Sequence, residues 1–163
     1  MIWGVVLKNY IKTIREKIGH DTLIAVGAGV FVYKDGKVLM QKRKDNSCWA
    51  LHGGSVEIGE KVEDAAKREL FEETGLTANS LELLGVFSGE NMIYTYPNGD
   101  KVYIVSLIYI CRDFSGELLP EAKEVSKLKW FDIGNLPKDI SPPDIEPVEA
   151  FVKYIVEYIQ DKR

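Results

Sequence analysis

The feature that most constrains this chain of 163 residues is a helical segment, residues 62–74, that gathers acidic side chains on one side. Its residues are good helix formers, and Gly75 follows as a favourable C-terminal cap. Glu69, Glu72 and Glu73 are spaced i, i+3 and i+4, so their carboxylates emerge on one helix face. Like charges at this spacing destabilise an isolated helix by roughly 0.2–0.5 kcal/mol per pair. The segment therefore indicates a bound divalent cation, and all-oxygen ligands are those that Mg²⁺ or Mn²⁺ prefers.

Composition and charge are those of an ordinary globular protein. Hydrophobic residues make up 45% and charged residues 28%, and a chain of this length can bury a core of its own. The formal charge of −4 without a long basic stripe argues against a nucleic acid as partner. The longest apolar runs are about half the length of a membrane-spanning helix, which argues against a membrane. Cys48 and Cys111 are far apart, so we expect free thiols and a cytoplasmic location.

Periodicity and turn motifs predict a mixed α/β chain. Residues 23–33 and 37–43 are predicted as a hairpin joined at Asp35-Gly36, and residues 83–96 and 102–111 as another joined at Asn98-Gly99. Residues 127–133 predict a further strand, and apolar spacing predicts helices in the first twenty residues and from Val148 onward, after a proline-rich connection. We expect one domain, residues 21–163, preceded by a helical appendage, residues 1–20, that is a candidate dimer contact through Ile2 and Trp3.

A longer pattern surrounds the acidic helix. Its fixed positions, separated by five, seven, one and one residues, are Gly54, Glu60, Arg68-Glu69-Leu70, Glu72-Glu73 and Gly75-Leu76. This segment resembles the Nudix box of the Nudix hydrolase family, G-x5-E-x7-R-E-U-x-E-E-x-G-U with U aliphatic, at every fixed position. The segments Trp49-Ala50-Leu51 and Trp130-Phe131 are also similar to the MutT-like layout of that family. One departure precedes the box, because His52 stands where the family usually has proline, and this changes the lip of the expected site.

The resemblance implies a fold and an activity. The fold is an α/β/α sandwich, a mixed β-sheet flanked by helices, here with N-terminal and C-terminal helices. The activity is Mg²⁺-dependent hydrolysis of a nucleoside diphosphate linked to another moiety, with Mn²⁺ as a possible substitute and a homodimer as a possible assembly. Phosphoryl transfer needs positioning and charge neutralisation more than covalent chemistry, so a carboxylate-held metal that lowers the pKa of bound water is sufficient.

The family pattern also implies roles for the acidic residues. Glu72 and Glu73 are implied as metal ligands, Glu69 as a ligand or as the general base on the attacking water, and the carbonyl of Gly53 as a further ligand. The supporting groups are Arg68, which would orient the carboxylate that follows it, and Glu60, which would support the loop. Gly54 and Gly75 would allow the backbone turns at the helix ends, and Leu76 completes the box.

Many members of the family take another acid from a loop beyond the box. Glu121 and Glu124 are the candidates here, with Glu124 preferred, and Glu90 and Glu117 compete with them. Within the box, Glu57 lies off the fixed positions, so we expect a solvated residue, with contact to the metal shell as the alternative.

Residues for the rest of the substrate are less strongly indicated. Trp49 and Trp130 are candidates for stacking on a base, and Tyr94 is a candidate substrate contact, although aromatic residues in strands more often pack in a core. Arg43 belongs to a basic group that either contacts phosphate or is a solvated strand end. Members that act on ADP-ribose often have a proline where this chain has Met92, and those that act on dinucleoside polyphosphates often have a tyrosine, which Tyr94 roughly matches. ADP-ribose, dinucleoside polyphosphates and (d)NTPs all stay open.

A second function class is a catalytically silent Nudix module that binds and senses a nucleotide. Its usual signs are a damaged box or a fused DNA-binding domain. The box is complete, and the roughly twenty residues before the first predicted strand are too few for such a domain. We therefore expect an enzyme that releases a nucleoside monophosphate.

Overall fold

Ten strands and three helices build the part of the chain that the computed structural model describes, residues 9–119 and 123–161. The helices are α1 (Tyr10–Ile18), α2 (Val62–Thr74) and α3 (Ile145–Asp161). The first five strands are β1 (Leu23–Lys34), β2 (Lys37–Arg43), β3 (Trp49–Ala50), β4 (His52–Ser55) and β5 (Thr77–Ala78). The remaining strands are β6 (Glu82–Phe87), β7 (Ile93–Thr95), β8 (Lys101–Cys111), β9 (Phe114–Ser115) and β10 (Val125–Asp132). Single 3-10 turns cover Glu90–Met92 and Pro142–Asp144.

Eight of these strands form one mixed sheet. Its main order is β10-β2-β1-β8-β6, while β3, β4 and β7 pair with β2, β1 and β8 respectively. The central pair, β1 and β8, is parallel from Leu23↔Val102 to Val32↔Cys111, and the other pairs are antiparallel. Strands β5 and β9 form a separate small antiparallel sheet.

Residues 28–32 of strand β1 are buried on both faces of the sheet, and a helix packs on each side there. Alternate residues of a strand face opposite sides. Val30 and Val32 belong to the apolar cluster that contains Leu70 of α2. Phe31 belongs to the opposite cluster and stacks on Phe151 of α3, with ring centroids 4.3 Å apart. The described residues thus form the α/β/α sandwich that the sequence resemblance implies.

The first predicted hairpin is confirmed. Strands β1 and β2 pair in the register Val32↔Leu39, Tyr33↔Val38 and Lys34↔Lys37. Asp35 and Gly36 have φ of 51° and 77°, the left-handed values that a two-residue hairpin loop of this type requires.

The prediction of one continuous strand over residues 83–96 is wrong. Its two ends are β6 and β7, and both pair with β8, but the 3-10 turn Glu90–Met92 separates them. Phe87 pairs with Ser106 and Ile93 with Tyr103, so five residues on one side stand opposite two on the other. Gly89, at φ 108°, lies at the start of the extra loop, in a conformation that favours glycine.

The helices at the two ends of the chain differ from the prediction in extent. Helix α3 begins at Ile145 rather than Val148, because Pro147 falls within its first turn, where no intrahelical N–H bond is lost. In the first twenty residues the helix covers Tyr10–Ile18, while Ile2 and Trp3, the expected dimer contacts, lie outside the described residues. Both cysteines are free thiols, and no described helix is long and apolar enough to cross a bilayer.

Candidate active site

Helix α2 carries the acidic residues and has the bounds that the sequence predicts. Its buried side consists of Ala65, Ala66 and Leu70, which are inaccessible to solvent and pack against the sheet. The helix ends at Gly75, where φ is 77° and the backbone N–H donates to the carbonyl of Phe71 at 2.8 Å. This cap is the αL termination that favours glycine.

Next to this buried side, α2 borders a large acidic cavity. The cavity has a volume of about 740 Å³, and its described lining includes three cationic side chains, Arg43, Arg68 and Lys123. Six glutamates line it as well: Glu57, Glu60, Glu69, Glu72, Glu73 and Glu124. The excess of carboxylates makes the cavity suited to a multivalent cation.

Arg68 joins several of these carboxylates. Its Nε and Nη2 atoms donate to the two oxygens of Glu60 at 2.8 and 3.0 Å, a bidentate contact. Its Nη1 donates to Oε1 of Glu69 at 2.6 Å and to Oε2 of Glu72 at 3.3 Å. Hydrogen bonds with Glu60, the largest cause, raise the pKa of Arg68, so the guanidinium is always charged. Arg68 is placed to orient Glu69, and Glu60 accepts a further bond from the backbone N–H of Glu57 at 3.0 Å.

Glu73 is the most buried of the six glutamates, with 7% of its surface exposed. Its Oε2 accepts hydrogen bonds from Nε2 of Gln41 at 2.8 Å and from the backbone N–H of Gly53 at 3.0 Å. Burial is the main cause that raises the pKa of Glu73 to about 8, and these two hydrogen bonds oppose it. Gln41 therefore positions Glu73, and the sequence analysis missed this residue. The available signal was a glutamine directly after the apolar run Val38–Met40, in the same predicted strand.

His52 lies behind Glu73 and not at the lip of the site, which corrects the expectation from the sequence. Its side chain is fully buried, and Nε2 donates to the carbonyl of Leu39 at 3.1 Å. Nδ1 lies 3.8 Å from Oε2 of Glu73 and has no hydrogen-bond partner among the described residues. Burial lowers the pKa of His52 to about 4, so the imidazole is neutral at neutral pH. Strand pairing of β4 with β1 buries the residue, since His52 stands opposite Val30.

Glu69 packs closely against the backbone of β4. A Cβ atom on Gly54 would lie 2.5 Å from the carboxyl carbon of Glu69, so any side chain there would displace this carboxylate. Burial, the largest cause, raises the pKa of Glu69, while the hydrogen bond from Arg68 lowers it. Gly53 has a similar constraint, because a Cβ there would lie 2.3 Å from the carbonyl oxygen of Ala28.

The residues of the acidic cavity fit a hard divalent cation by their chemistry. Carboxylate oxygens from α2 and from the segment before β10 line one space, and Gly54 leaves room next to Glu69. Within residues 9–119 and 123–161, however, no three acidic, histidine or cysteine side chains already stand close enough together to hold an ion. Glu72 is half exposed, so its carboxylate has freedom to turn toward a cation.

Other acids considered from the sequence have different surroundings. Glu124 lines the acidic cavity, and its charge contributes to the raised pKa of Glu69. Glu121 lies outside the described residues, and neither Glu90 nor Glu117 is part of the described lining. Glu57 lines the cavity too, but it is half-buried, and its carboxylate accepts two backbone N–H bonds at the start of α1.

A second cavity, of about 250 Å³, adjoins the acidic one. The two share Arg43, Tyr96 and the β4 residues Gly53, Gly54 and Ser55. Apolar residues of β1, β8 and the 3-10 turn Glu90–Met92 form much of its wall, so we term it the apolar cavity. Its other polar groups are Tyr94, Ser106, Ser141 and Asp144. Tyr94 and Tyr96 pack edge to face, with ring centroids 4.9 Å apart.

Asp144 is the ionisable group at the α3 side of the apolar cavity, and the sequence analysis missed it. Its Oδ2 accepts a hydrogen bond from the backbone N–H of Leu51 at 3.2 Å. Burial raises the pKa of Asp144 to about 7, against the opposing effects of this bond and of Arg43. The proline-rich sequence around it gives no periodicity that would have indicated a position in a cavity wall.

Three of the substrate residues expected from the sequence separate in the structure. Arg43 borders both cavities and makes a bidentate pair with Asp45 at 2.8 and 2.6 Å. Tyr94 lines the apolar cavity and its hydroxyl accepts from Nδ2 of Asn46 at 3.2 Å. The structure corrects the expectation that Trp49 contacts the substrate. Its ring is buried against Phe131 and is not part of the described lining of either cavity. Trp49 is a core residue.

The chain is similar to several known proteins. A model of the NUDIX domain matches residues 23–151. An ADP-ribose pyrophosphatase of Methanocaldococcus jannaschii is 40% identical over 118 residues, which cover 70% of this chain and 65% of that protein. An oxidized purine nucleoside triphosphate hydrolase of Danio rerio is 32% identical over 111 residues, which cover 66% of both proteins. The chain thus matches just under two thirds of the length of each of these relatives.

A solved structure is similar over most of the chain. The crystal structure of a MutT NUDIX hydrolase from Burkholderia pseudomallei superposes with a TM-score of 0.68 at 31% sequence identity. The superposition covers 78% of this chain and 98% of the other.

Proposed function

The chain belongs to the NUDIX domain family, and from that premise we propose that it is a metal-dependent pyrophosphohydrolase. Its substrate would be a nucleoside diphosphate linked to another moiety, and one product a nucleoside monophosphate. One observation supports this proposal most strongly: Arg68 holds Glu69 at the edge of a cavity that Glu72, Glu73 and Glu124 also line. A solvated helix would not fix an arginine between two of its own carboxylates and a third from the loop before it.

We assign the cation to the acidic cavity, with Mg²⁺ preferred and Mn²⁺ as a substitute. Glu69, Glu72, Glu73, Glu124 and the carbonyl of Gly53 are the proposed ligands. When bound, the metal would neutralise pyrophosphate charge and lower the pKa of a bound water. Gln41 and the N–H of Gly53 hold Glu73 in place before any ion arrives.

Glu69 and Arg68 have the proposed reactive and orienting roles. Glu69 is the proposed ligand or general base for the attacking water, and Arg68 fixes its Oε1 by a charge-assisted bond of 2.6 Å. The two carboxylate oxygens of Glu60 accept hydrogen bonds from Arg68 as well, so the guanidinium group has little freedom to rotate. Removal of either partner should displace Glu69 rather than unfold the helix.

The two adjoining cavities divide the substrate by chemistry. The pyrophosphate lies in the acidic cavity, and the uncharged nucleoside enters the apolar cavity, where Tyr94, Tyr96 and Asp144 offer aromatic and polar contacts. Arg43, at their junction, is the proposed contact for a phosphate. The relatives named for ADP-ribose and for an oxidized purine nucleoside triphosphate keep both substrate classes as candidates, with dinucleoside polyphosphates as a third. No observation in the described part of the chain favours the silent nucleotide-sensing module.

The test is a hydrolysis panel with ADP-ribose, diadenosine polyphosphates, NADH, UDP-sugars and (d)NTPs, each with and without Mg²⁺. Glu69→Gln serves as the blank, and Glu63→Gln serves as the matched control, because Glu63 is exposed and pairs only with Lys67 among the contacts described for it. We expect one class of substrate to be hydrolysed by the wild type and the control but not by the blank. Nucleotide binding without turnover of any compound would contradict the enzyme and favour the sensing module.

A further inference from the structure

Helix α1 precedes the segment that matches the family model, yet it borders both cavities. The family match begins at residue 23, whereas α1 ends at Ile18. Asn9, just before α1, lines the acidic cavity, and Ile11 in its first turn lines the apolar cavity. A part of the site wall therefore comes from outside the matched domain.

The start of α1 is fastened to the box by Glu57. The backbone N–H groups at a helix start have no partner within the helix and need an acceptor. Asn9 makes no capping bond with its own side chain, and α1 has no acidic residue in its first turn. The Oε1 and Oε2 atoms of Glu57 instead accept from the N–H groups of Asn9 and Tyr10 at 3.3 and 3.2 Å. A carboxylate is also the charge that a helix N-terminus favours.

The end of α1 is fastened to the β7–β8 hairpin. Nη1 of Arg15 donates to the carbonyls of Gly19 and Asp21 at 3.0 and 2.7 Å. Nη2 of the same side chain donates to the carbonyl of Lys101, the first residue of β8, at 2.6 Å. Helix α1 is thus attached at its start to Glu57 and at its end to the β7–β8 hairpin. Ile11 lies near the attachment to Glu57.

We propose that α1 determines part of the substrate specificity. Ile11 forms one wall of the apolar cavity and contacts the bound nucleoside, and Glu57 holds the helix in position. This inference rests on the proposed function, because it assigns the nucleoside to the apolar cavity. Ile11 adds a helix residue to the apolar wall that β1, β8 and the 3-10 turn Glu90–Met92 form. Glu57 acts through α1, so it is a positioning residue and not a metal ligand.

The first experiment compares KM and kcat for whichever nucleotide of the hydrolysis panel the wild type turns over. Ile11→Ala should raise KM roughly tenfold with kcat little changed, since it removes an apolar contact made equally before and during reaction. Ile14→Ala is the matched control, being the same change on the same helix at a position outside the described cavity lining. Glu57→Ala should raise KM like Ile11→Ala, and Glu57→Gln, which keeps one acceptor oxygen, should fall between it and the wild type.

The second experiment separates the positioning role of Glu57 from a metal role. Hydrogen exchange measured by mass spectrometry should be faster over residues 9–19 in Glu57→Ala and unchanged in Glu63→Ala. The rise in melting temperature caused by Mg²⁺ should be the same in Glu57→Ala as in the wild type. Loss of that rise, or unchanged exchange in α1, would overturn the assignment of Glu57.

The outcomes also separate this inference from the proposed function. Turnover by the wild type, together with an unchanged KM in Ile11→Ala and Glu57→Ala, would overturn the role of α1 alone. A wild type that neither hydrolyses nor binds any nucleotide of the panel would overturn the proposed function and the role of α1 together.

Discussion

Gly54 shows at the scale of one residue how the backbone makes room for a reactive carboxylate. Its missing side chain leaves the space that Glu69 occupies, since a Cβ there would lie 2.5 Å from the carboxyl carbon. The carboxylate is the far end of a flexible side chain, so it would move aside when a methyl group is added. The position of Glu69, and not the fold, is therefore what glycine protects.

We predict that Gly54→Ala lowers kcat by roughly 100-fold, the loss that a displacement of about 1 Å can cause. The melting temperature should change little, because Glu69 yields before the sheet does. Gly134→Ala is the control, as a Cβ at Gly134 would have no neighbour within 4 Å in the described structure. Equal kcat in the two variants, measured on the same substrate, would show that Glu69 does not need its present position.

The raised pKa of Asp144 predicts a dependence of stability on pH. Its pKa is about 7 in the folded protein and 3.8 as the ordinary value, so the folded state binds the proton more tightly. This contribution is present at low pH and is lost as the pH rises toward 7. Arg43, Tyr96 and the N–H of Leu51 face the carboxyl group, and Asp144→Asn mimics its protonated form.

From about pH 5 to about pH 8, the melting temperature of the wild type should therefore fall more than that of Asp144→Asn. Glu73, whose pKa is also raised, affects both proteins alike and cancels in the comparison. Parallel curves from the two proteins would show that Asp144 does not titrate in this range.

The residues that the sequence analysis located and those it missed differ in a physical way. Glu69, Glu72 and Glu73 were located because a helix spacing makes their shared face visible in one short segment. Gln41 and Asp144 approach the site from segments far along the chain, and only the sheet and the 3-10 turn bring them there. His52 was expected at the lip, because nothing in the sequence shows that β4 turns it toward the sheet interior.

At the scale of elements, helix α2 contributes side chains both to the apolar core and to the acidic cavity. Leu70 is inaccessible to solvent on the core side, while its neighbours Glu69 and Glu72 line the acidic cavity. Both ends of α2 could be predicted from the sequence, because its composition and Gly75 are local signals. Strand β7 was predicted as part of β6, because the interruption depends on pairing with β8, which is not local.

We predict that Leu70→Ala lowers the free energy of unfolding by about 2–5 kcal/mol, the usual cost of removing a buried leucine side chain. Phe71→Ala is the matched control on the same helix, since Phe71 is 57% exposed and its removal should change stability by less than about 0.5 kcal/mol. Urea denaturation of both variants measures the difference. A larger loss in Phe71→Ala would mean that α2 is rotated relative to the sheet.

At the scale of the whole molecule, the fold brings two unlike cavities together at β4. The sheet supplies the apolar cavity, α2 supplies the acidic one, and Gly53, Gly54 and Ser55 border both. Without a bound cation, the acidic cavity lowers the stability of the folded protein. Burial raises the pKa of Glu69 and of Glu73 and so disfavours their charged forms. A divalent cation would reverse this cost and stabilise the native state by binding only to it.

The most direct test of this account is the melting temperature measured with and without millimolar MgCl₂, in the wild type, Glu73→Gln and Glu63→Gln. A ligand at about 100 times its dissociation constant adds about 2.7 kcal/mol, which corresponds to several degrees in a protein of this size. We predict such a rise in the wild type and in Glu63→Gln, and its loss in Glu73→Gln. An equal rise in all three proteins, or none in the wild type, would contradict the assignment of a cation to the carboxylates of α2.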